Sequence, residues 1–227
     1  MKRPYREQVA GYLVRPGLDR TSRHLGWITA LVSLGDEDII SPAIACGLED
    51  DLLPRMIQEA ILQTYLFAGY PKVINGLILL NGLCAGSGLD YPVNGGTDED
   101  YPYWPQWEKR GESLCRSIYG DRFDRLQAMI EGLHPSLARW MIVEGYGKVL
   151  GRDGLPRDLR EILVVSVLTS QGVWRQLRSH LLGGLHLGVT REALREIVIQ
   201  LRPFISPDQV EKALDILDGL IEGEAID

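Results

Sequence analysis

The chain repeats itself, and one offset describes the repeat. Sliding the sequence by 137 residues lays YLVRPGLDRTSRHLGWITALVSLG over VLGRDGLPRDLREILVVSVLTSQG without a gap. The matched identities include Leu13/Leu150, Arg15/Arg152, Gly17/Gly154, Arg20/Arg157, Arg23/Arg160, Ser33/Ser170 and Gly35/Gly172. The register runs on through Gly47/Gly184, Glu59/Glu196, Gln63/Gln200, Phe67/Phe204 and Leu77/Leu214. A fold for this chain must therefore accommodate one unit twice.

Within each copy the pattern is helical. RDLREILVVSVLTSQ is an apolar run opened by Pro156 and Asp158 and stopped by Gly172; its length favours a helix, although its β-branched residues also suit a buried strand. VWRQLRSHLLGGLHLG follows with apolar residues at three- and four-residue spacing and ends at Gly188. Thr190 reads as the N-cap of REALREIVIQLRPF, limited by Pro203, and Ser206 with Pro207 opens a last helix. No segment sustains a period of two, so the expected fold is all-α.

The expected organisation is a first helical repeat over 1–84, a connecting loop over 85–107 and a second helical repeat over 108–227. The loop is rich in Gly, Pro and aromatics. It reads as a connector, or as a cover for a pocket or subunit boundary built on Tyr101, Tyr103, Trp104 and Trp107.

Composition narrows the function classes. With 45% hydrophobic residues and a net charge of −7, the chain reads as a globular domain without the concentrated basic face that nucleic acid requires. The longest apolar run, VINGLILLNGLCAG, is interrupted by Asn75 and Asn81 and is too short to span a bilayer. No signal peptide pattern opens the chain, and Cys46, Cys84 and Cys115 are odd in number and far apart. These point to a reducing cytoplasm, to no membrane partner and to no metal site.

One histidine attracts attention. If the chain reverses at Gly172, Glu161 lies eleven residues before the turn and His180 eight after it. On antiparallel helices the two then differ in level by only about 4–5 Å, so they can pair. A carboxylate that fixes an imidazole tautomer is a standard arrangement for proton transfer. Gln176 sits one turn before His180 on the same face. In the first copy Glu161 corresponds to His24 and His180 to Ala43, so a single site per chain, in the second copy, is expected.

The stretch LPRDLREILVVSVLTSQGVWRQLRSHLLGGLHLGVTREALREIVIQL resembles the carboxymuconolactone decarboxylase and alkylhydroperoxidase D superfamily. The resemblance is strong over 146–214 and weaker over 9–77. It implies an all-α, repeat-built fold and assembly as a homo-oligomer, a trimer or hexamer. In the alkylhydroperoxidase D branch a glutamate precedes a CxxC pair and a histidine; carried over, these are Glu161 and His180, while the cysteine positions hold Val173 and Gln176. Without those thiols no disulfide relay is available there.

The decarboxylase branch is closer. It implies a cofactor-free lyase for a small carboxylate or lactone, with His180 as proton donor, Glu161 orienting it, and Gln176 with Arg160, Arg175 or Arg178 holding the substrate. The recurrence of Arg160 as Arg23 also suggests a structural duty, as does that of Glu59 and Gln63 in the other copy. The competing expectations are a non-catalytic oligomeric binding or scaffold protein and, less favoured, a thiol-dependent peroxidase using Cys46, Cys84 or Cys115.

Overall fold

A computed structural model describes residues 4–91 and 103–220, all of whose regular structure is helical. The first copy comprises α1 (Tyr5–Leu13), α2 (Arg20–Leu34), α3 (Glu37–Glu49), α4 (Pro54–Gln63), the single turn α5 (Tyr65–Ala68) and α6 (Tyr70–Ser87). A middle segment follows: α7 (Trp104–Tyr119), a 3-10 turn (Gly120–Arg122), α8 (Phe123–Leu133) and α9 (Pro135–Trp140), which continues as a π-helix over Met141–Leu150 that the 137-residue offset lays on α1. The second copy adds α10 (Arg157–Gln171), α11 (Trp174–His186), α12 (Arg191–Ile199) and α13 (Pro207–Asp218). No helix among the described residues is long and apolar enough to cross a membrane.

The duplication survives in three dimensions. Adding 137 to the first residue of α2, α3, α4 and α6 gives the first residue of α10, α11, α12 and α13. Local chemistry sets the boundaries. Asp19 caps α2 by accepting from the Ser22 N–H, and Gly35 ends it at φ 87°; its counterpart Gly172 ends α10 at φ 69°. Both glycines take the left-handed conformation that a side chain disfavours. Thr190 caps α12, and Ser206 with Gln209 forms a capping box on α13. The β-branched run in α10 is a helix, wholly buried from Leu159 to Ser170.

The two copies interlock rather than sit side by side. The Ser33 and Ser170 hydroxyls meet at 2.8 Å across 137 residues, and the Ser166 hydroxyl donates to the Gly26 carbonyl across 140, so α2 and α10 pack in parallel. Arg23 reaches into the second copy, donating to Glu196 at 2.9 Å and to Gln200 at 3.4 Å. Arg160 does the same in reverse, to Glu59 at 2.9 Å and Gln63 at 3.0 Å. Each glutamine returns a bond, Gln63 to the Arg160 carbonyl and Gln200 to the Arg23 carbonyl, both at 3.2 Å. The hydrophobic clusters cross over too. Leu155, Leu159, Leu163 and Leu201 join the first copy's core, and Leu18, Leu66 and Phe67 pack on the second's.

The connecting segment is shorter than the sequence suggests. α6 runs to Ser87 and α7 starts at Trp104, so Trp104 and Trp107 are helical, with Trp107 buried. Prolines account for the second boundary, since Pro105 sits in the first turn of α7, where a missing N–H costs nothing. Tyr101 lies outside the described residues. α12 likewise ends at Ile199, short of Pro203.

Breaking one arm of the interlock should be costly. Arg160→Ala leaves Gln63 buried without its donor and Glu59 with only Arg152, at 3.4 Å, and should lower stability by about 3–5 kcal/mol in urea unfolding. The double variant Arg160→Met with Glu59→Leu should recover most of that loss. A single variant within about 1 kcal/mol of the parent would contradict the assignment.

Candidate active site

The turn at Gly172 folds α11 back along α10 and brings Glu161 to His180. The imidazole Nδ1 lies 2.7 Å from Glu161 Oε2, with both side chains buried. Space for this contact comes from Gly183, nearly one turn after His180. A Cβ there would stand 2.7 Å from Ile118 Cγ2 and 3.5 Å from Glu161 Oε2. The ring also meets Phe67 edge to face at 5.9 Å, so α5 of the first copy forms part of the site.

His180 lines an open cavity of about 670 Å3. α11 contributes Arg175, Gln176, Ser179 and His180, which repeat at four-residue spacing along one face. The middle segment contributes Tyr119, Arg122 and Arg125 and the apolar side chains of α8, and the π-helix contributes Glu144 and Tyr146. Glu144 accepts from the Tyr65 hydroxyl at 2.9 Å. Arg122 Nη1 is buried there without a hydrogen-bond partner.

Two tyrosines share a hydrogen bond at this cavity, Tyr119 and Tyr146, oxygen to oxygen 2.8 Å. Burial raises both hydroxyl pKa values well above 10, so both remain protonated and one O–H is left to donate elsewhere. Their meeting depends on an unusually close approach of α7 to the π-helix. A Cβ on Gly111 would fall 2.0 Å from the Ile142 carbonyl oxygen, and one on Gly147 would fall 2.0 Å from that of Trp107. Only glycine fits at either position.

Of the residues expected at the site, His180, Gln176 and Arg175 line the cavity, with Glu161 directly behind His180. Arg178 does not line it. Arg160 is a correction. Adjacent on α10 to Glu161, it points about 100° away and is held in the interlock by Glu59, Gln63 and the carbonyls of Arg152 and Asp153. Sequence reasoning missed Tyr119, Tyr146, Arg122, Arg125 and Phe67. The available signal was indirect: Tyr119, Arg122 and Arg125 fall in the stretch that the repeat leaves unmatched, whereas Tyr146 falls on Val9 at the 137-residue offset.

The matching place in the first copy is filled differently. His24 Nε2 lies 2.9 Å from Asp50 Oδ2, and Arg6 and Arg20 both donate to the same carboxylate. Burial alone would raise the Asp50 pKa, but the bonds from Arg6, His24 and Arg20 outweigh it and hold the carboxyl at about 2. Burial lowers the pKa of His24 despite Asp50. His24, Cys46 and Asp50 have the donor types of a metal site, with their atoms within 4.8 Å of one another. The Arg6 guanidinium, bonded to both Cys46 and Asp50, already supplies the positive charge there.

All three cysteines are buried free thiols. Burial raises each thiol pKa, that of Cys115 to about 12. The thiolate that peroxide chemistry requires is therefore disfavoured at every one.

Comparison with known proteins agrees with this architecture. The profile of the Carboxymuconolactone decarboxylase family matches residues 136–219, which contain Glu161, Gln176 and His180. A 4-carboxymuconolactone decarboxylase of Acinetobacter baylyi is 37% identical over 92 residues, 40% of this chain and 69% of that protein. The chain belongs to the carboxymuconolactone decarboxylase family. It is also similar to an uncharacterized 15.0 kDa protein of Paracoccus denitrificans, 28% identical over 132 residues, 56% of this chain and 97% of that protein. Peroxisomal protein 2 of Schizosaccharomyces pombe is 26% identical over 137 residues, 60% of this chain and 62% of that protein, so the chain spans about three fifths of it.

Two outcomes test these local arguments. Gly147→Ala should destabilise the fold by about 3 kcal/mol or more, because a backbone oxygen cannot yield, whereas Gly145→Ala, with open space at its Cβ, should be near neutral in the same melts. Asp50 has its pKa lowered from 3.8 to about 2 on folding, so its stabilising contribution is complete above pH 3.8 and lost as pH falls through about 2. Asp50→Asn should therefore flatten the decline of melting temperature over that window.

Proposed function

We propose that the chain is a carboxy-lyase of the carboxymuconolactone decarboxylase type, acting on a carboxylated or lactone substrate in the 670 Å3 cavity. The observation that carries this reading is the buried Glu161–His180 pair at 2.7 Å, opening onto a cavity with arginines in its lining. Glu161 takes the Nδ1–H of His180 and fixes the ring, which leaves Nε2 for the substrate.

The chemistry needs three things from the chain. Arg122 and Arg175, both in the cavity lining, receive the anionic substrate, with Gln176 beside Arg175. As the bond to the carboxylate breaks, its electron pair moves into the carbonyl of the substrate, and the developing oxyanion takes the free O–H of the Tyr119–Tyr146 pair. His180, protonated and held by Glu161, then delivers the Nε2 proton to carbon as carbon dioxide departs. No electrons are gained or lost overall, so the step calls for no redox partner.

A second reading draws on the burial of the same pair. Glu161 and His180 also tie α10 to α11, as a scaffold protein without turnover would use them. His180→Gln separates the two, because its amide still donates to Glu161. The lyase reading expects turnover to fall by about 10²–10⁴-fold with a melting temperature within about 4 °C of the parent. A lower melting temperature in the variant, with no turnover of carboxylated or lactone substrates by the parent, would support the clamp and reject the lyase.

A further inference from the structure

The cavity is much larger than a small lactone acid, and its polar and apolar parts are segregated. α8 presents Leu126, Met129, Ile130 and Leu133, the i, i+3, i+4, i+7 face that a helix normally buries. Here that face lines the cavity opposite Leu137 and Trp140, and Leu133 and Trp140 stay 73% and 53% exposed. At the start of the same helix stands Arg122, three residues after Tyr119, and its side chain lines the cavity beside that wall. A guanidinium next to an apolar wall can give a carboxylate charge-assisted hydrogen bonds.

We infer that this site takes an amphipathic carboxylic acid, its carboxylate at Arg122 and an extended acyl chain along α8. The inference rests on the reading of the cavity as the substrate site for a carboxylate. From Phe123 to Leu133 the helix advances ~15 Å, the reach of a medium- or long-chain acid rather than of a lactone ring. Volume agrees: 670 Å3 is within the usual range for pockets that enclose drug-sized molecules. A short acid would leave the apolar wall wet, whereas a chain covers the exposed Met129, Leu133 and Trp140 and adds their burial to its affinity.

Calorimetric titration of the whole protein with hexanoate, decanoate and tetradecanoate, below their micelle concentrations, tests this. Affinity should rise with chain length by up to about fourfold per methylene until the wall is covered. Arg122→Gln should weaken decanoate by roughly tenfold or more, as the loss of a charged hydrogen bond would. Leu133→Glu, on an exposed position that does not threaten folding, should flatten the length dependence. Equal affinity across the series, or no binding, overturns the inference. So does a Leu133→Glu variant that splits an oligomer while leaving acid affinity intact, because the wall is then a contact with a second copy. The two readings fail separately. Length-dependent binding of these acids by a protein that decarboxylates neither a β-keto acid nor a lactone acid rejects the lyase alone, and turnover of a short lactone acid by a protein indifferent to chain length rejects this inference alone.

Discussion

Two buried guanidinium–carboxylate pairs, Arg23 with Glu196 and Arg160 with Glu59, hold the two copies against each other, and the rest of the structure depends on them. Taking a charge out of water is unfavourable unless the partner is in place, and here each partner belongs to the other copy. Neither copy can bury its own arginine alone. The hydrophobic clusters obey the same reciprocity, since each borrows leucines from the opposite half. α10 is thereby fixed on two sides at once: Arg160 anchors it to the first copy, and Glu161, the next residue, is presented to α11. The precision of the Glu161–His180 contact derives from an ion pair that points elsewhere.

The copies share a scaffold and differ in chemistry. Where the second has Glu161, Gly183 and His180, the first has His24, Cys46 and Ala43. The first copy's cluster is closed by Arg6 and Arg20, both bound to Asp50, which is also bonded to His24. The second copy's pair is left open on one side because α8 and the π-helix enclose space beside α11. Symmetry thus supplies the frame, and departure from symmetry supplies the site.

Most of the frame was legible in the sequence because its causes are local or periodic. The offset of 137 residues placed the helix starts, Gly35 and Gly172 marked the reversals, and counting from Gly172 put Glu161 level with His180. The recurrence of Arg23 and Arg160 signalled a common structural task, which the interlock explains and which removes Arg160 from the cavity. What was not legible depends on distant packing. Tyr119 and Tyr146 meet only because Gly111 and Gly147 let two backbones touch, a contact that no periodicity in either helix announces. Arg122 is significant only because it lines the cavity beside the apolar face of α8, a placement that no motif announces.

Phe67 has a consequence for how the site is assembled. It stands in the first copy yet packs against the His180 ring in the second, while its counterpart Phe204 stacks on Tyr5 in the first. Each half therefore lends the other an aromatic side chain. Because both halves are one covalent chain, that loan is intramolecular: the wall beside His180 forms at a fixed effective concentration, independent of how dilute the protein is. Formation of that wall is thus a folding event rather than an encounter.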